Sequence, residues 1–143
     1  MEDCLIILKP DALQKNLVPD ILAMLSTQAE SFSHIRTGIP SAELIRLHYA
    51  HLAERTLARN LAFLTSGPVL VLETKGSILA LRKLIGATDP SKADPQTIRG
   101  KFSTDSIPQA EIENRGLHNL IHCSDSIASG LAELQTWRQH FPQ

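Results

Sequence analysis

A few polar residues stand out against the apolar runs of this chain. Lys9 ends the run Cys4–Leu8, Arg82 lies in an amphipathic stretch, and Thr88 and Arg99 fall in a long irregular segment. Asn119 and His122 sit at the last apolar run. Two guanidinium groups, an ammonium, an imidazole and a hydroxyl suit a phosphate chain. An arginine fork takes phosphate oxygens in pairs, and lysine adds a point charge. Strand ends are where α/β proteins place ligand sites. Neither Gly-x-x-x-x-Gly-Lys-Ser/Thr nor Gly-x-Gly-x-x-Gly occurs, so a nucleotide would be held by side chains. Taken singly, each residue also reads as an ordinary solvated or structural group. His48 and His51 have the spacing of a helical metal pair, but no third ligand stands at a useful spacing, and partial burial of the imidazoles is the simpler reading.

The elements that must position these residues follow from patterning. Cys4–Leu8 is short and continuously apolar before Pro10, as a strand buried on both faces would be. Leu17, Val18, Ile21, Leu22, Met24 and Leu25 make a helical stripe with Pro19 in its first turn. Residues 32–39 alternate like a half-exposed strand. Ser41 caps a helix with Leu44, Leu47, His48, His51 and Leu52 on one side. Leu57, Leu61 and Leu64 mark the next helix, closed by Ser66-Gly67-Pro68. Val69–Leu72 is a second buried strand, and Ser77 caps a helix carrying Leu81, Leu84 and Ile85. Residues 86–116 lose periodicity and read as a long loop of the functional kind. Leu117–Ile121 restores a strand, and Ser124-Asp125 opens a last helix with Ile127, Leu131 and Leu134 on one face. The order is β-α-β-α-α-β-α-loop-β-α. It fits an α+β, ferredoxin-like βαββαβ sandwich, with helices covering a four-stranded antiparallel sheet.

Composition bounds the function. With 143 residues the chain is expected to form one domain, 1–143. A content of 43% hydrophobic and 20% charged residues excludes a disordered chain. Fourteen basic against fifteen acidic residues give a net charge of −1, so no global basic field attracts nucleic acid or a membrane. Two cysteines do not make a disulfide framework. The longest apolar stretch, Cys4–Leu8, is far below the about 20 residues of a membrane span. With no signal-like N-terminus, a soluble, cytoplasmic protein is expected.

Five segments occur in a distinctive order: Lys9-Pro10-Asp11, Ser66-Gly67-Pro68, Gly86-Ala87-Thr88-Asp89-Pro90, Thr97-Ile98-Arg99-Gly100 and Asn119–Ser126. The last reads Asn-Leu-Ile-His-Cys-Ser-Asp-Ser. Together they closely resemble the nucleoside diphosphate kinases, from about Cys4 to Trp137. The resemblance implies ping-pong transfer of the γ-phosphate of a nucleoside triphosphate to a nucleoside diphosphate. His122 falls on the family's phosphorylated histidine, and Ser124 and Glu133 on the pair that supports it. Lys9, Tyr49, Arg82, Thr88, Arg99 and Asn119 fall on phosphate and ribose positions. It also implies Mg²⁺ carried on the nucleotide phosphates with no direct protein ligand, and a homo-oligomer, either a hexamer or a tetramer of dimers. Neither nucleic acid nor membrane is required. The chemistry is coherent: a neutral imidazole is a competent nucleophile near pH 7, and Glu133 can fix its tautomer. The alternative is a catalytically weak nucleotide-binding regulatory module of the same fold. Retention of the histidine and every phosphate-site residue argues against it.

Three positions depart from the family pattern. Leu57 is expected at the base clamp, where the family usually has phenylalanine, so a stacking face is lost. Cys123 stands where glycine is usual and would be strained if its φ were positive. Phe102 and Asn119 are about ten residues farther apart than in most members, which lengthens the loop within 103–116. A regular strand would point Asn119 and His122 to opposite faces; Asn119 is therefore expected in the loop.

Overall fold

The computed structural model describes residues 1–141; the end of the expected domain, Pro142 and Gln143, lies outside the described residues. The run before Pro10 forms β1 (Glu2–Leu8), which pairs antiparallel with β3 (Val69–Gly76) and with the short β4 (Ile121–Cys123). β3 also pairs antiparallel with β2 (Ala29–Gly38), giving the order β2-β3-β1-β4. This is the expected four-stranded antiparallel sheet.

From Cys4 to Leu8 β1 is apolar because both its faces are buried. Cys4, Ile6 and Leu8 pack with Ile21 and Leu25 of α2 (Val18–Leu25) and with Ile78, Leu81 and Ile85 of α5 (Ile78–Ile85). Leu5 and Ile7 pack the other way, against Leu44 and Ile45 of α3 (Ala42–His48), Leu64 of α4 (Glu54–Leu64), and Leu134 and Trp137 of α8 (Ile127–His140). Each fully buried aliphatic side chain contributes about 1.5–3 kcal/mol, so β1 is the stiffest base available for the groups attached to its end. α1 (Pro10–Gln14) follows it directly. Ser41 and Ser77 cap α3 and α5 as expected, each hydroxyl accepting a main-chain N–H at 3.1 Å. No described helix is long and apolar enough to cross a membrane.

The structure corrects four details. β2 begins at Ala29 and loses its alternation at register shifts, one of them between Ser33 and Arg36, where His34 has φ 50°. The segment 86–116 is not structureless. It holds a 3₁₀ turn (Pro90–Lys92), α6 (Ile98–Phe102) and α7 (Ile107–Ile112), capped by Asp89, Thr97 and Ser106. Pieces this short complete too few turns to show a period. The expected strand Leu117–Ile121 starts only at Ile121, for a reason given below. The last helix is capped by Ser126, whose Oγ accepts from Ser129 N at 3.1 Å, rather than by Ser124-Asp125.

Candidate active site

The site grows from the end of β1. Lys9 N–H donates to Leu120 O at 2.8 Å, and Asp11 Oδ2 accepts from Leu120 N at 3.1 Å. Leu120 is fully buried with φ 74°. Left-handed backbone costs a side-chain-bearing residue roughly 1–2 kcal/mol. Pairing both its main-chain groups to the Lys9-Pro10-Asp11 corner offsets that cost. The kink ends the loop at Leu120 and starts β4 one residue later. Asn119 and His122 consequently reach the same cavity, and Asn119 belongs to the loop as expected.

The cations also brace this turn. Arg99, buried and presented by the Thr97-capped α6, donates Nε to Asn119 O at 3.2 Å, Nη1 to Gly86 O at 3.0 Å and Nη2 to Ile121 O at 2.6 Å. Gly86 has φ 96°, and a Cβ there would collide with the Thr97 side chain, so this corner requires glycine. Arg82 Nη1 donates to Cys123 O at 2.9 Å. Lys9 Nζ donates to Asn119 Oδ1 at 2.7 Å, and Asn119 Nδ2 donates to Thr88 O at 3.0 Å. Burial, reinforced by the Arg99 charge, pulls the Lys9 ammonium down to about 8. Burial and then Arg82 lower Arg99 to about 10, so it stays a cation at neutral pH. Burial raises the Tyr49 phenol.

His122 is half-buried, and its Nε2 lies 2.8 Å from Glu133 Oε1 on α8. The same oxygen accepts from Ser124 Oγ at 2.8 Å, and Ser124 Oγ accepts from Leu5 N at 3.0 Å. An ionised carboxylate can only accept, so Nε2 carries the ring proton and Nδ1 keeps its lone pair. Cys123 is not among the residues with positive φ, so the strain considered for it does not arise. Its Sγ lies 3.7 Å from Cys4 Sγ.

A cavity of about 630 Å³ opens over these groups, within the range of small-molecule sites. Lys9, Tyr49, Arg82, Thr88, Arg99, Asn119, His122 and Glu133 all line it. Ser124 stands behind, fully buried. Leu57 is the correction: it does not line the cavity, whereas Thr56 and Asn60 of α4 do. Leu57 is half-buried on the helical face it shares with Leu61 and Leu64, and the exposed Thr56 beside it lines the cavity instead.

Sequence reasoning left out His48 as a site residue. Its ring packs edge-on against His122, centroids 4.6 Å apart, and Trp137 Nε1 donates to its Nδ1 at 3.0 Å. That bond places the His48 proton on Nε2, and burial with the nearby His122 holds its pKa well below the usual value. The His48–His51 pair does not assemble a metal site; instead a ring nitrogen of His48, one of His122 and a Glu133 oxygen lie within 4.8 Å of one another, without His51. Trp137 engages His48 Nδ1, and His122 Nε2 and Glu133 Oε1 engage each other. No spacing rule joins residues 48, 122 and 137. Asp11 was legible in principle, as part of the Lys-Pro-Asp motif.

A sheet of this order, with a histidine bare at one nitrogen beside three cations that line the same cavity, has the make-up of a phosphotransferase site. The family model described as "Nucleoside diphosphate kinase" matches residues 2–142. The chain is 42% identical to the nucleoside diphosphate kinase of Herpetosiphon aurantiacus, covering 91% of this chain and 83% of that protein. It is 39% identical to that of Synechococcus elongatus, covering 96% and 87%. Among solved structures, an NDP kinase from Pyrobaculum aerophilum superposes with a TM-score of 0.86 at 28% identity, covering 95% and 94%. A transition-state mimic of the Borrelia burgdorferi enzyme, with bound vanadate and ADP, superposes with a TM-score of 0.87 at 26% identity, covering 99% and 91%. The chain belongs to the nucleoside diphosphate kinase family.

Proposed function

We propose that this chain moves the γ-phosphate of a nucleoside triphosphate to a nucleoside diphosphate through a phosphohistidine on His122. The observation that carries this is the single bare nitrogen. Glu133 holds the proton on Nε2, so the Nδ1 lone pair attacks the γ-phosphorus at the wall of a cavity lined by Lys9, Arg82 and Arg99. The bond to the bridging oxygen breaks and its electron pair leaves on the nucleoside diphosphate. The second half reverses these steps with another diphosphate, whose terminal oxygen attacks phosphorus while the P–N bond returns its pair to Nδ1. Positioning and charge neutralisation do most of the work in such a transfer. Thr88 and Asn119 orient the phosphates and Tyr49 the ribose side.

Mg²⁺ fits as the counter-ion of the substrate's phosphates. Lys9, Arg82 and Arg99 line the cavity and Glu133 is committed to His122 and Ser124; among the described residues no cluster of carboxylates offers a cage of oxygens. Bound to the phosphates, the ion supplies further charge neutralisation. The chain is read as one catalytic domain over 1–143, cytoplasmic, and assembled as a hexamer or a tetramer of dimers; a size-resolved mass measurement decides the assembly.

Incubation with γ-labelled ATP tests the reading. Acid-labile, alkali-stable label is expected on the parent protein and none on His122→Ala. Full turnover in that variant overturns the mechanism. Nucleotide binding without label leaves only the binding module.

A further inference from the structure

The segment that lengthens this chain between Phe102 and Asn119 takes no part in the chemistry above, yet it walls the cavity. α7 brings Ile107, Ala110 and Glu111 to the lining, and α4 brings Thr56 and Asn60. The segment is firmly held. Arg115 grips Asp105 with both arms, at 2.7 and 2.9 Å, and Asp105 also accepts from His118 N at 2.8 Å. These donors keep the Asp105 carboxyl well below the usual range. Arg59 of α4 ties the two helices, donating Nε to Asn114 Oδ1 at 2.9 Å and meeting Glu111 Oε1 at 2.8 Å with Nη1.

A nucleotide with its phosphates at His122 extends its base into the rest of the cavity, which is this α4–α7 end. The polar groups there are lopsided. Most of its donors are already used: the Arg115 Nη groups by Asp105 and Glu113, Arg59 as above, and the Asn60 amide N–H by Thr56 O at 3.1 Å, while the Thr56 hydroxyl can donate or accept. Arg59 Nη2 has no partner but is shut away from solvent. Two acceptors, Glu111 Oε2 and Asn60 Oδ1, have no hydrogen-bond partner among the described residues. Glu111 is a carboxylate at neutral pH, since its bond to Arg59 lowers its pKa.

Resting on the kinase reading, we propose that Glu111, presented by α7, is a specificity-determining residue for the base. Its uncommitted oxygen accepts N–H from the base edge and favours guanine. Guanine presents its ring N1–H and exocyclic amine side by side, whereas adenine presents one amine beside an acceptor. Discrimination of this kind comes from pairing polar groups on both sides.

Glu111→Gln tests this without removing the tie to Arg59. The amide oxygen turns toward the guanidinium, because an NH₂ there would face another donor. The NH₂ then occupies the place of Oε2 and opposes guanine while suiting adenine N1. The expected result is a GDP-over-ADP preference in kcat/KM for the parent. In the variant the ratio should shift toward ADP by about tenfold, the scale of one charge-assisted hydrogen bond, carried by KM because the base does not react. A ratio within twofold of the parent's means that the base does not meet Glu111. Equal loss for both nucleotides means that Glu111 acts only by holding Arg59. Either result overturns the proposal. Failure of the kinase reading looks different, since the parent would take no acid-labile label. Calorimetric titration with GDP and ADP then makes the same comparison, with the same shift expected.

Discussion

Replacing Glu133 by glutamine isolates the charge behind His122. The amide oxygen can still accept from His122 and Ser124, so the geometry at 2.8 Å is preserved while the negative charge goes. The two side chains are 18% and 20% exposed, so the local dielectric lies between protein and water. A full positive charge on the ring at that distance is stabilised by about 1.5 kcal/mol at the dielectric of water and by about 6 kcal/mol at an effective value of 20. The ring gains only part of a charge as the P–N bond forms, so about 2 kcal/mol of transition-state stabilisation is at stake. That is about thirtyfold in kcat. KM should change little, because the charge develops only in the transition state. Steady-state kcat at saturating nucleotide, together with single-turnover labelling of His122, measures it. A kcat within twofold of the parent's would refute the claim that Glu133 acts electrostatically on the ring.

Three further outcomes are expected. Burial holds Lys9 near 8, so it is charged below that pH and neutral above it; kcat/KM for nucleoside triphosphates should fall as pH rises through about 8, and a flat profile to pH 10 would contradict this. Thr56→Phe should tighten nucleotide binding by up to about 1 kcal/mol through stacking. Leu57→Phe should leave nucleotide affinity unchanged, since Leu57 lies outside the cavity lining; calorimetric titration checks both variants. Arg99→Ala removes a donor from three main-chain carbonyls, of which Asn119 O keeps Ile121 N, and should cost stability as well as activity, a buried group left unpaired being worth about 1–3 kcal/mol. Lys75→Ala breaks only an exposed pair with Asp3 and should stay within about 0.5 kcal/mol; equal melting temperatures for these two variants would show that Arg99 braces nothing.

Much of this molecule was legible in the sequence because local rules govern it. Continuous apolar runs gave the two central strands, serine caps placed α3 and α5, and ordered motifs pointed to the histidine and its cations. Short-range patterns failed where an element is too short to repeat, as in α6 and α7, or where a strand bulges, as at His34. Leu57 differs for another reason: the family resemblance puts it at the base clamp, whereas the cavity is lined by Thr56 and Asn60 of the same helix. Only the tertiary structure decided how Asn119 and His122 share a cavity. That depends on a left-handed Leu120 held by Lys9 and Asp11, whose partner lies more than a hundred positions along the chain. It also decided that His48 leans on the nucleophile under a hydrogen bond from Trp137, and that Arg59 binds the added helix to α4. A sequence states which groups are present and which face of a helix or strand each occupies. Distances between groups on different elements are set by how the elements pack, and phosphoryl transfer depends on those distances.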